Sequence, residues 1–139
     1  VFLSSPPIGI GGILGKLVKY TPLSVWKTLA ETGLTCEVGG LVDIAARCHD
    51  PRVAESYNND PLVQSKLHVK LLLELVQASK EVFSKPINPL CPVYAAVGSQ
   101  DQVVSVSSFV QYFETIEKKV EYKVFNDVYH ELHNEIQKY

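Results

Sequence analysis

The strongest constraint on the fold of this chain is the run Pro92-Val93-Tyr94-Ala95-Ala96-Val97, closed by Gly98. It shows no alternation between polar and apolar positions, so neither face is written for water. Such a run suits a strand covered on both faces, as in a parallel sheet flanked by helices. The residues that follow fit that frame. Val106, Phe109, Val110, Phe113 and Ile116 return at helical spacing behind Ser105, a good N-cap. Lys118-Lys119 falls where the helix dipole favours positive charge. Glu121-Tyr122-Lys123-Val124-Phe125 alternates as a strand does, Asn126-Asp127 turns it, and the polar segment from His130 reads as a helix start. Strand, helix, strand in this order predicts a right-handed parallel crossover, so the fold class is α/β.

Upstream, Val1-Phe2-Leu3 reads as the end of a short buried strand stopped by Pro6-Pro7. Gly9, Gly11 and Gly12 loosen the backbone, and Ile13, Leu14, Leu17 and Val18 then share a helical face. Beyond Pro22, Val25, Trp26 and Leu29 continue an apolar surface. Residues 33–60 lack periodicity and hold turn formers at Gly39-Gly40, Asp50-Pro51 and Asn58-Asn59, which predicts irregular chain or short helices. Asp60-Pro61 combines an N-cap with a first-turn proline. A long amphipathic helix is expected from there to about Ser84, on Val69, Leu72, Leu73, Val76 and Phe83, ended by Pro86 and Pro89.

Composition removes several classes of function. The 139 residues, 46% hydrophobic, make one domain's core or a piece of something larger. A net charge of -2 argues against a nucleic-acid partner, and no apolar run is long enough to span a bilayer. Cys36, Cys48 and Cys91 form no CxxC pair and read as reduced thiols of a cytoplasmic protein. A chain that starts at Val1 and contains no Met reads as a processed or excised segment.

In parallel sheets, reactive groups gather just beyond the carboxyl ends of the strands. Asp101 follows the strand at 92–97, and His130 follows the strand at 121–125. One crossover separates them, which returns both to the same sheet edge. A carboxylate so placed can hold one nitrogen of an imidazole and leave the other free to accept a proton. Each residue has an ordinary reading beside this one: Asp as a turn former, His as a helix cap. His130 and His133 stand at i and i+3 and could share a metal, but no third ligand is near in sequence, so no metal or other cofactor is expected. Gly9-x-Gly11-Gly12-x-x-Gly15 lacks the strand-turn-helix frame and downstream acid of a dinucleotide loop.

Pro92 to Glu135, with VGSQDQVV and VYHELHNE, resembles the C-terminal end of the monoacylglycerol lipase and lysophospholipase branch of the α/β-hydrolases. Phe2-Leu3-Ser4-Ser5-Pro6 is similar to the strand and bend after that branch's nucleophile elbow, and Ser56 to Leu62 to the segment leading from its cap into the core. The resemblance puts the family's catalytic acid on Asp101 and its catalytic histidine on His130, with His133 the motif's second histidine. It implies a core strand at 1–7, a mostly helical cap or lid at 8–60, and core helices and strands at 61–139. One departure stands out. The family's G-x-S-x-G elbow does not occur in these 139 residues, nor does its His-Gly oxyanion segment.

The chain is therefore expected to be the C-terminal part of a serine hydrolase of carboxylic esters, lacking the half that carries the nucleophile. Its substrate would be a monoacylglycerol or a lysophospholipid. A non-catalytic interaction module, or thioesterase or epoxide hydrolase chemistry on the same fold, is the alternative. The first strand would present an unpaired edge. That predicts either an N-terminal hydrolase half as partner or self-association through the strand. The apolar stripe at 13–29, with Lys16, Lys19 and Lys27 nearby, predicts peripheral membrane contact.

Overall fold

The computed structural model describes residues 1–37, 43–116 and 120–136. The elements run β1 (Phe2–Ser4), α1 (Gly12–Tyr20), α2 (Leu23–Glu31), β2 (Thr35–Glu37), a 3-10 turn (Ile44–Arg47), α3 (Pro51–Asn59), β3 (Lys66–His68), α4 (Val69–Ser84), β4 (Val93–Gly98), α5 (Val106–Glu114), β5 (Val120–Phe125) and a second 3-10 turn (Leu132–Asn134). The Gly39-Gly40 and Lys118-Lys119 pairs lie outside the described residues.

The apolar run forms the middle strand of a parallel sheet ordered β1-β4-β5. Both edges of β4 are hydrogen-bonded, and Ala95, Ala96 and Val97 are fully buried. The inward face is set by register: Leu3 lies beside Ala95, Ala95 beside Tyr122, and Val97 beside Val124. Against that face α5 packs Phe109, Tyr112 and Phe113, with Ile8 and Phe83 joining the cluster. Phe113 and Tyr122 stack at 6.1 Å, so the alternation in β5 does point its apolar side at the helix. The Ser105 hydroxyl caps α5 by accepting the Ser108 N–H at 3.2 Å.

β1 is a strand with the unpaired edge expected of it, but it is not buried: Phe2 is 61% exposed, because no described strand pairs with its outer side. Two further expectations change. The long helix starts at Val69 instead of Asp60, capped by His68, whose Nδ1 accepts the Lys70 N–H at 3.0 Å. Asp60 caps only a single turn, and β3 intervenes to pair antiparallel with β2, Cys36 beside Leu67. The Asp-Pro start signal operates ten residues earlier: Asp50 accepts the Arg52 N–H at 3.0 Å and Pro51 opens α3. Finally, the stripe on α1 divides. Leu14 is buried and Val18 half-buried, while Ile13 and Leu17 face out.

Candidate active site

The site is built on the parallel pairing of β4 and β5, which runs in register from Val93 beside Val120 to Gly98 beside Phe125. Their carboxyl ends therefore finish side by side, and the two loops beyond them interlock. The Ser99 N–H donates to the Phe125 carbonyl at 2.8 Å, and the Gln100 N–H to the Val128 carbonyl at 3.0 Å. The Asp127 N–H donates to Ser99 Oγ at 3.0 Å. Asp127 takes a φ of 54°, a left-handed conformation that Asp tolerates better than most side chains. Gly98 lets the second loop lie directly on the end of β4: a Cβ there would overlap the carbonyl oxygens of both Val128 and Tyr129.

Within this frame the two candidate residues meet. His130 Nδ1 lies 2.8 Å from Asp101 Oδ2. The Asp101 side chain is fully buried, and that of His130 is about one quarter exposed, 26%. The other carboxylate oxygen, Oδ1, accepts the N–H groups of Val103 and Val104, both at 2.8 Å. Those bonds fix the rotation of the carboxylate and stabilise its charge in a place that water does not reach. An ionised carboxylate only accepts, so Nδ1 carries the ring proton and Nε2 keeps its lone pair. Among the described residues the ring makes no other hydrogen bond. The arrangement can take a proton at Nε2 and stabilise the resulting imidazolium.

The loop bearing His130 is held from behind by side chains that local sequence patterns do not reveal. The Ser5 hydroxyl, on a buried residue with φ 43°, donates to the His130 carbonyl at 2.8 Å. Glu135 is buried; its Oε1 accepts the Tyr129 N–H at 2.8 Å, and its Oε2 lies 2.9 Å from His49 Nδ1. Burial alone would push the Glu135 carboxyl up. The Tyr129 N–H and both His49 contacts outweigh it and hold the carboxyl below its ordinary value. Burial pushes the Cys48 thiol up, partly offset by the Asp50 N–H, and the protonated thiol donates to the Asn134 carbonyl at 2.7 Å.

A pH dependence of stability follows. Because folding depresses the Glu135 pKa, its contribution is fully present above the ordinary carboxylate value of about 4.5 and is lost as pH falls through the lower folded value. Thermal melts between pH 7 and pH 3 should show Glu135→Gln removing part of the acid-limb slope. A slope identical to the parent's would contradict this role.

Other candidates go elsewhere. His133 is exposed in the 3-10 turn, and among the described residues no three His, Cys, Asp or Glu side chains converge as a metal site requires. The glycines at 9–12 serve close backbone approach: the Gly11 N–H donates to the Val103 carbonyl and the Ser105 N–H to the Gly9 carbonyl, at 2.8 and 2.9 Å. Among the described residues no helix is long and apolar enough to cross a membrane.

Parallel strands joined through a crossover helix, with an acid and a histidine hydrogen-bonded beyond their carboxyl ends, define part of an α/β-hydrolase. The chain belongs to the Hydrolase_4 family (serine aminopeptidase, S33), whose model matches residues 1–137. Its fold is similar to that of a monoacylglycerol lipase from Paleococcus ferrophilus, at 22% identity and a TM-score of 0.80, over 99% of this chain and 52% of that one. It is also similar to a soluble variant of monoglyceride lipase from Saccharomyces cerevisiae in complex with a substrate analog, at 14% identity and a TM-score of 0.72. That likeness covers 98% of this chain and 49% of the yeast chain. The chain thus spans about half the length of each. No curated protein matches it in a sequence comparison.

Proposed function

We propose that these residues supply the general base and its acid partner to a serine hydrolase acting on carboxylic esters of single-chain lipids, monoacylglycerols or lysophospholipids. The observation that carries the reading is the 2.8 Å contact between His130 Nδ1 and Asp101 Oδ2 at matched strand ends. The family supports a serine hydrolase, and the names of the two similar structures support a lipid ester as substrate. In the reaction a serine Oγ attacks the ester carbonyl while its proton passes to His130 Nε2. Asp101 stabilises the imidazolium, which returns the proton to the departing alcohol. Water then cleaves the acyl-serine by the same proton path in reverse order.

The serine itself is the part these 139 residues do not supply in the family's motif. A fluorophosphonate probe tests this on the purified chain and on a polypeptide that adds the sequence encoded upstream of Val1. Labelling and monoacylglycerol hydrolysis are expected only in the longer form. Labelling of a serine in the short chain, or none in either, overturns the reading.

A second reading, recruitment through the outer edge of β1, is favoured by one observation. Phe2 is 61% exposed, stacks on Tyr94 at 5.7 Å, and borders an apolar depression with Phe125 and Leu132. Unpaired strand edges with apolar neighbours invite another strand. Light scattering after gel filtration should show the short chain self-associating; a folded, strict monomer counts against it.

We further propose that α1 touches lipid surfaces. Ile13, Leu17 and Tyr20 recur at i, i+4 and i+7 and are 60%, 44% and 76% exposed, beside Lys16 and Lys19. Leu14 is buried and takes no part in that surface. Changing Ile13, Leu17 and Tyr20 together to Ser should weaken binding to anionic liposomes at least about tenfold without altering the melt. Unchanged binding would remove α1 from consideration.

A further inference from the structure

His130 stands on irregular chain between β5 and the final 3-10 turn, where no strand ladder fixes the backbone. Three hydrogen bonds do so instead, one on each side of the residue and one on it. The Tyr129 N–H goes to Glu135 Oε1 at 2.8 Å, the His130 carbonyl accepts from Ser5, and the Glu131 N–H goes to the Arg47 carbonyl at 2.8 Å. Glu135 differs from the other two partners in reaching two segments at once. Its second oxygen accepts the His49 N–H at 3.3 Å and contacts the His49 ring at 2.9 Å. The His49 ring in turn lies flat on the Tyr129 ring, centroids 4.0 Å apart and planes 9° from parallel. The carboxylate side chain is only 3% exposed, so its charge is retained in the interior by these bonds and not by solvent.

We propose that Glu135 is a positioning residue for His130. Its carboxylate ties the loop at Tyr129 to the segment 47–50 and so keeps the imidazole where Nδ1 meets Asp101. This rests on the reading of His130 as the base. The energetic reason is geometric. A base displaced by about 1 Å from its productive place loses on the order of 100-fold in rate, and loops hold such positions only when buried polar partners fix them. Segment 47–50 is joined to the same loop by the Cys48 thiol on Asn134 as well, so a shift of that segment reaches His130 through Glu135 and its neighbours.

The test reads the His130 ring directly, by long-range 1H–15N spectra of the 139-residue chain near neutral pH. The parent should show one tautomer, Nδ1 protonated, with that Nδ1 proton far downfield in its bond to Asp101. Glu135→Gln should keep the dispersed amide signals of β4 but average the His130 ring between tautomers and lose that proton to solvent. His49→Phe keeps an aromatic ring on Tyr129 and removes the ring contact to Glu135; it should move the same signals part of the way. In an active polypeptide containing these residues, Glu135→Gln should lower kcat about 10- to 100-fold with KM within about twofold. Unmoved His130 ring signals in folded Glu135→Gln would overturn the proposal. Should that variant unfold, unmoved signals in His49→Phe overturn it. Failure of the base reading looks different: the ring signals move, yet Asp101→Asn leaves hydrolysis intact.

Discussion

Asp101→Asn, in an active polypeptide that contains these residues, is expected to lower kcat by on the order of 10^4 while KM changes little. The size follows from how the carboxylate is used. Oδ1 already accepts two backbone N–H groups, so an asparagine will place its carbonyl oxygen there and turn its NH2 toward His130. The imidazole must then accept at Nδ1, which moves its proton to Nε2, the atom that has to take the serine proton. The fold survives because the variant is isosteric and keeps the bonds to Val103 and Val104. His133→Ala, removing an exposed ring from the 3-10 turn, should leave kcat within about threefold. Steady-state hydrolysis of a monoacylglycerol measures both. Equal losses in the two variants would contradict the assignment of His130 and Asp101.

Gly98→Ala should be a strongly damaging single-methyl change. Gly98 is buried at the end of β4, and an added Cβ meets the carbonyl oxygens of Val128 and Tyr129. Those are backbone atoms, held by the Gln100 N–H and by the loop's ties to Glu135 and Ser5, so no side-chain rotation relieves the overlap. Overpacking in a close-packed interior typically costs about 1–3 kcal/mol, and a clash against fixed backbone belongs at or above the top of that range. Against a typical domain stability of about 5–15 kcal/mol, that is a large fraction. Urea unfolding should show a lower midpoint with an unchanged slope, and the Asp101–His130 proton should broaden or vanish. An unfolding free energy within about 0.5 kcal/mol of the parent's would mean the loop can lift away freely, which the interlocked bonds argue against.

Much of the core was legible because burial along one element leaves a periodic trace. The unbroken apolar run named the central strand, and Phe109 and Phe113 at helical spacing named the helix that covers it. Asp101 and His130 were legible for a related reason: parallel topology converts position in the chain into position at a sheet edge. Start signals were less decisive. Asp50-Pro51 and Asp60-Pro61 look alike in sequence, yet one opens α3 and the other only a turn, because β3 is drawn into pairing with β2. Apolar stripes were ambiguous in the same way, since Leu14 and Ile13 are equivalent until the core takes one of them.

The chain's own sequence therefore determined the α/β class, the order of its second half and the acid–histidine pair. Each depends on periodicity or on the obligatory geometry of parallel strands, which act over a few residues or one crossover. Tertiary structure alone decided that Gly98 must lack a side chain and that Glu135 is buried against His49. Those two residues are 86 positions apart. A contact at that separation leaves no local pattern, and a buried glutamate reads in sequence like any exposed one until the folded chain brings its hydrogen-bond donors to it.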